Sequence, residues 1–296
     1  MHPHDAPIRR EQRIVRVSPD GWVRDDDLLA TEEPLEIRLL WWEGDALNEK
    51  PVAVTMRTPG DDFELAVGFL FGEGILKERY DFSDVGYCLD ENEIQNENIV
   101  NVTLMPGVTF DMSRLDRNFY TTSSCGVCGK AALEALEIQG CDVVISDVEV
   151  SPELIQQLPD RLREAQEVFQ KTGGLHASGL FTPEGELVSL REDVGRHNAL
   201  DKVIGEQLLK GKDDLSDRIL LLSGRASFEL IQKSLMARIP VVAAVGAPSS
   251  LAVELAQEFG ITLMGFVRPD GFNIYTHPGR VRIPASYGYK RKISTG

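Results

Sequence analysis

The run Ser123-Ser124-Cys125-Gly126-Val127-Cys128-Gly129-Lys130 sets two thiols one helical turn apart, with glycine beside each and a lysine two residues after the second. The segment Ala131-Ala132-Leu133-Glu134-Ala135-Leu136 that follows is built from strong helix formers. A cysteine at a helix amino end sits in the positive potential of free backbone N–H groups, which favours its thiolate. Four chemistries are open to such a pair: two inert buried thiols, part of a zinc site, a thioredoxin-type disulfide centre, or a thiolate that accepts and passes on sulfur or an acyl-like group. Structural zinc takes four ligands, and the other candidates here (Cys88, Cys141, His176 and His197) are scattered singly. A thioredoxin centre follows a buried strand, whereas residues 109–124 lack periodicity and read as a polar loop. The glycine-rich setting favours a thiol that can travel between donor and acceptor.

A second station is Arg191-Glu192-Asp193-Val194-Gly195-Arg196-His197-Asn198-Ala199-Leu200-Asp201-Lys202. A helix starting near Val194 would be capped by Asp193. It would put His197 and Asp201 on one face, with Asn198 and Lys202 on the next. The ordinary reading is a capped, salt-bridged helix. The density of arginine, histidine and amide also suits holding a phosphate or protonating a leaving group. Two strand–turn–helix junctions follow, Leu222-Ser223-Gly224-Arg225-Ala226-Ser227 and Val245-Gly246-Ala247-Pro248-Ser249-Ser250. Small residues at a helix amino end expose N–H groups to an anion, so Ser223, Arg225 and His197 are candidate binding residues for a nucleotide-like ligand. The segment Gly265–Phe272 combines aromatics, Arg268 and a tight turn. It reads either as a plain hairpin or as a rim on which a heterocycle stacks while Arg268 meets phosphate. His176 reads as a satisfied, partly buried histidine, and His277 as a turn residue.

These stations need a scaffold. The chain has 296 residues and 42% hydrophobic content, enough for one large or two small domains. Its net charge of −16 argues against generic binding to nucleic acid or anionic membranes, where basic surface supplies affinity. Four cysteines in this length are no disulfide framework. No apolar run approaches a membrane span, and the amino terminus has no apolar signal core, so a soluble cytoplasmic protein is expected. Residues 1–24 read as a polar, partly mobile leader. Residues 25–147 read as an α+β part carrying the thiol loop, with strands at 51–56 and 99–105, a helix at 61–71, an acidic loop at 90–98 and a strand at 143–145. From about 148 the pattern changes. A helix over 151–171 precedes a hairpin (177–181 and 186–191) and a helix from about 195. Strands at 219–222, 241–245 and 261–266 alternate with helices at 227–237 and 249–259, and a last strand spans 272–275. That alternation predicts an α/β layer with parallel strands.

Taken together, Ser124–Gly129, Glu192–Lys202, Ser223–Glu229 and Tyr275-Thr276-His277-Pro278 occur in an order and context that resembles the FdhD family, formate dehydrogenase accessory sulfurtransferases. The resemblance spans roughly residues 30–280. It implies a cytidine-deaminase-like three-layer α/β domain with a smaller α+β amino-terminal part, and a cytoplasmic homodimer. It implies a sulfur carrier that takes sulfur from a cysteine desulfurase as a persulfide. The sulfur then passes to the molybdenum (or tungsten) bis-guanine-dinucleotide cofactor before its insertion into formate dehydrogenase. Cys125 matches the family's persulfide cysteine and Cys128 its partner. Phe266, Val267, Arg268, Pro269, Asp270 and Gly271 match its cofactor-binding stretch, where a GDP-like nucleotide would also fit. No structural metal, nucleic-acid or membrane partner is implied. Deamination is a poor rival. Zinc deaminases use His-x-Glu and then Pro-Cys-x-x-Cys, whereas here Ser124 precedes the pair, and His176-Ala177-Ser178 comes after it with serine in the glutamate's place. Two other readings remain: a cofactor-insertion chaperone whose thiols ligate metal, and a dithiol oxidoreductase.

Overall fold

The computed structural model describes residues 8–89, 93–110 and 141–288; Cys125 and Cys128 lie outside the described residues. Within them the chain forms a mixed α/β structure with three sheets and six α-helices.

The six-stranded sheet runs β12-β11-β10-β9-β7-β8. Its centre is β9 (Ile219–Leu222), β10 (Val241–Ala244) and β11 (Thr262–Arg268), mutually parallel. Every residue of β9 and β10 is buried, as expected for short apolar runs covered on both faces. β7 (His176–Phe181) runs antiparallel to β9 and to β8 (Leu187–Asp193), and β12 (Gly271–Ile274) closes the other edge. Alternate strand residues enter different cores. Leu220, Leu222, Val242 and Leu263 pack with α4 (Arg196–Leu209), α5 (Phe228–Met236) and α6 (Ser250–Glu258). Ile219, Leu221, Val241 and Met264 pack with α2 (Pro152–Ala165), a helix capped by Ser151. This is the expected three-layer α/β arrangement.

The smaller part is a four-stranded sheet, β4-β3-β6-β5, made of β3 (Glu33–Glu43), β4 (Ala46–Arg57), β5 (Phe82–Leu89) and β6 (Gln95–Leu104). Leu35, Ile37, Leu39, Val100 and Val102 face α1 (Asp62–Gly72). α1 crosses α4 at a contact that admits no side chain. A methyl on Gly68 would run into the Asp201 carbonyl, and one on Gly205 into the Glu64 carbonyl. Glycine at this crossing joins the two parts at backbone distance.

Three expectations need correction. Residues 9–24 of the expected polar leader are not irregular but lie in an antiparallel ribbon, β1 (Arg9–Ser18) with β2 (Gly21–Ala30), turned by Pro19-Asp20 with Gly21 at φ 131°. Residues 143–145 form no strand. Val144 N donates to Phe259 O, but the Arg280 guanidinium takes the Val144 and Gly260 carbonyls and the flanking Val143 and Ile145 are exposed. The helix expected over 151–171 breaks at Gln166 (ψ 86°), because α3 (Glu167–Thr172) is capped from elsewhere: the Glu192 carboxylate accepts Val168 N at 2.9 Å and Phe169 N at 2.8 Å.

Candidate functional site

The 193–202 segment is held largely by its own side chains. α4 begins at Arg196, and Asp193 is fully buried just before it. One Asp193 oxygen accepts Gly195 N (2.8 Å) and Asn198 Nδ2 (3.0 Å); the other accepts Thr58 N (3.1 Å) and pairs with Lys202 Nζ (2.8 Å). Lys202 also donates to Thr58 O, and Asn198 to Met56 O. Asn198 and Lys202 therefore share a face, as the helical spacing predicts, and that face ties the large sheet to the end of β4. On the neighbouring face Asp201 pairs with Lys233 of α5 at 2.7 Å. Burial raises the Asp201 carboxyl to about 6, against the pull of Lys233. Most of the charge that the sequence offered for ligand chemistry is thus spent on the fold.

What remains faces the carboxyl ends of the parallel strands, the usual ligand edge of an open α/β sheet. Three consecutive turns are laced together there. Gly246 N donates to Gly224 O (2.9 Å), Ala226 N to Ala247 O (3.2 Å), Ser249 N to Ala226 O (2.9 Å) and Phe266 N to Gly246 O (3.1 Å). Gly246 has no space for a Cβ, which would stand 2.9 Å from Arg225 N and Gly224 O. With the backbone fixed, Arg225, Phe266 and Arg268 are free to be presented outward, and all three are exposed. Phe266 holds φ at 55°, unusual for an aromatic residue, beside a bulge between Gly265 and Arg268. Such strain costs about 1–3 kcal/mol and persists only where neighbours enforce it.

The expected binding residues divide. Pro269 and Asp270 are exposed at the β11–β12 turn and Gly271 is half-buried, but Val267 is buried in the α2-side core. Ser223 is partly committed, since its Oγ accepts Ala177 N at 2.8 Å. His197 Nε2 lies 3.2 Å from Ser227 Oγ and 2.9 Å from a Glu229 oxygen, and this bond holds the Glu229 carboxyl below its ordinary range. Beside Ser223 a groove of about 420 Å³ runs between the α2–α3 break and the strand ends, with Leu162, Phe169, Leu175 and His176 on its walls. His176 was expected to be satisfied. It is half-buried, yet no hydrogen bond to its ring exists among the described residues. Burial first, then the neighbouring Arg196 and His197, lower its pKa. Its place opposite Asp193 in the β7–β8 register could not be read locally. Among the described residues no group of three or more His, Cys, Asp or Glu could hold a metal ion, and no helix is long and apolar enough to cross a membrane.

The chain is thus an acidic α/β protein whose exposed arginines stand on a rigid edge beside a partly apolar groove, at the strand ends where open α/β sheets usually receive ligands. The FdhD/NarQ family model matches residues 30–282, and the chain belongs to that family. It is 50% identical over 285 residues to the sulfur carrier protein FdhD of Streptomyces coelicolor, covering 95% of this chain and 98% of that one. It is 42% identical to the sulfur carrier protein FdhD of Saccharolobus solfataricus, covering 90% of this chain and 96% of that one. A crystal structure of a formate dehydrogenase accessory protein from Desulfotalea psychrophila superposes with a TM-score of 0.71 at 25% identity, covering 93% of this chain and all of that one.

Proposed function

We propose that this chain is a cytoplasmic sulfurtransferase serving formate dehydrogenase, with Cys125 as its persulfide carrier. The observation that carries the reading is near full-length identity of about half to proteins named as sulfur carriers, in a chain that has the Cys125–Cys128 pair. In the first step the Cys125 thiolate attacks the outer sulfur of a cysteine desulfurase persulfide. A new S–S bond forms, the donor's breaks, and the donor leaves as a thiolate. In the second, the Cys128 thiolate attacks the inner sulfur of Cys125. A disulfide forms, the outer sulfur departs as sulfide to the acceptor, and an external dithiol then reduces the disulfide. The acceptor, and so the substrate, is the molybdenum bis-guanine-dinucleotide cofactor. Arg225 and Arg268 supply local positive charge for its phosphates in a chain of net charge −16. Phe266 offers a face for its heterocycle.

A homodimer is the assembly this reading takes. Its support is the β1–β2 ribbon, whose Val17 and Trp22 are 76% and 65% exposed. A two-stranded ribbon is at best marginally stable alone in water, and a second copy would cover it.

Intact-mass spectrometry after incubation with a desulfurase and cysteine tests the carrier step. The expected result is an adduct of about 32 Da, one sulfur, that dithiothreitol removes and that Cys125→Ala lacks. An adduct that survives in Cys125→Ala, or none on the native chain, defeats the assignment.

A further inference from the structure

Two rungs, one helical turn apart, join α4 to α5. His197 and Asp201 supply them from α4, Glu229 and Lys233 from α5, each pair four positions apart and so on one face of its helix. The inner rung, Asp201 with Lys233 at 2.7 Å, is buried. The outer rung, His197 Nε2 with a Glu229 oxygen at 2.9 Å, is not: His197 is half-buried and Glu229 exposed. A solvent-facing pair adds little to stability. The inner rung already holds the helices together, so the outer one calls for another account.

A serine two positions before Glu229 supplies it. Ser151, Ser227 and Ser249 each stand at a helix N-cap in extended backbone. Ser151 Oγ accepts Leu154 N and Ser249 Oγ accepts Ala252 N, both at 3.2 Å, as a capping serine should. Ser227 makes no such bond, and its Oγ lies 3.2 Å from His197 Nε2 instead. One ring nitrogen therefore reaches two residues at the start of α5. The Glu229 carboxyl, held below its ordinary range chiefly by this contact, can only accept, so Nε2 carries the hydrogen.

Ser227 ends the turn that presents Arg225, two residues earlier. On one side that turn is tied to the next by backbone bonds, Gly246 N to Gly224 O and Ala226 N to Ala247 O. At its exit the tie is His197, whose own helix is anchored to the end of β4 through Asn198 and Lys202.

We propose that His197 is a positioning residue: by engaging Ser227 and Glu229 it fixes the turn that aims Arg225, and it does not itself touch the ligand. This deepens the proposed function and rests on its reading that Arg225 meets a ligand phosphate. Without the imidazole, Ser227 is free to cap α5 in the ordinary way, and the turn moves with it.

The test is calorimetric titration of GDP into the full chain and its variants, with backbone amide NMR of residues 224–229 alongside. His197→Ala should weaken GDP about tenfold, the equivalent of ~1.4 kcal/mol, and move those amide resonances. His197→Gln, whose side-chain amide can donate to the same oxygens, should restore most of the affinity. Because the effect passes through Arg225, the His197→Ala/Arg225→Ala double variant should bind no more weakly than Arg225→Ala alone. Ser227→Ala should weaken GDP by less and keep the native melting temperature, whereas Ser249→Ala, which loses a true cap, should lower it. Additive losses in the double variant overturn the proposal, as does a His197→Gln no better than His197→Ala. With Arg225→Ala impaired, native GDP affinity in a folded His197→Ala overturns it too. A Ser227→Ala that melts as early as Ser249→Ala does the same, since its hydroxyl would then serve the helix, and that result can be read even if His197→Ala does not fold. If Arg225→Ala binds GDP like the native chain, it is the phosphate reading of Arg225 that fails. The amides then decide the positioning: moved in His197→Ala they keep it, unmoved they overturn it.

Discussion

The segment 193–202 and the three turns after β9, β10 and β11 both have the residue types of ligand chemistry, and they are built in opposite ways. In 193–202 the side chains are inside: Asp193, Asn198, Asp201 and Lys202 are buried and satisfied by one another, by the end of β4 and by α5. At the turns it is the backbone that is committed, N–H to carbonyl across neighbouring loops, while Arg225, Phe266 and Arg268 stay exposed. Charge in the first region stabilises the joint between the two parts of the molecule. Charge in the second is available to a partner. Density of polar residues in a sequence therefore does not by itself mark a ligand site; what matters is whether those residues find partners at home.

The largest effect should come from breaking a pair in the first region. Lys202→Met strands Asp193 in a fully buried place and should cost about 3–5 kcal/mol, read as a fall in denaturant midpoint. Lys233→Met should cost less at low pH than at high. The buried Asp201 binds its proton more tightly in the fold, near pH 6, than the 3.8 of an unburied carboxyl. Stability linked to it therefore falls as pH rises through that window and returns as pH drops. A variant whose unfolding free energy is equally low at pH 5 and pH 8 would contradict this.

A middle effect belongs to the laced turns. Gly246→Ala must push a methyl against Arg225 N and Gly224 O, and overpacking of this kind costs about 1–3 kcal/mol. It should also disturb ligand binding, because it moves the backbone that aims Arg225. A smaller effect is expected at His176. Its pKa is lowered in the fold, so the unfolded chain takes up a proton that the native chain declines, and acidification from pH 7 toward 5 should reduce stability. His176→Gln should flatten that slope in pH-dependent unfolding. Least of all for stability, Arg225→Ala and Arg268→Ala should stay within about 0.5 kcal/mol of the native chain, since both are exposed and carry no ion pair among the described residues.

Much of the scaffold was legible because its signals are local. The apolar run Ile219–Leu222, the Ser151-Pro152-Glu153 helix start and the Thr182–Gly185 turn each specify their element within a few residues. The ribbon had such a signal too, Pro19-Asp20-Gly21 between two runs of matched length, and the density of charge around it hid the pattern. The rest depended on distant partners. The break at Gln166 is made by Glu192 from another strand. The division of labour within 193–202 is made by Thr58, 144 positions before Lys202, and by Lys233. The turn bearing Arg225 was legible as a candidate site because strand–turn–helix junctions announce themselves, and the one bearing Arg268 because Pro269-Asp270-Gly271 marks a hairpin; Val267, by contrast, turned inward.

The contrast between a region that holds and a region proposed to bind is tested most directly by titrating GDP into an Arg225→Ala/Arg268→Ala double variant with its melting temperature measured in parallel. Removing a charge-assisted hydrogen bond to phosphate should weaken binding by about 1.5–3 kcal/mol for each arginine. The account predicts affinity reduced at least tenfold, about 1.4 kcal/mol, with an unchanged melting temperature. A double variant that binds GDP as tightly as the native chain, or that loses binding only because it has lost its fold, would contradict it.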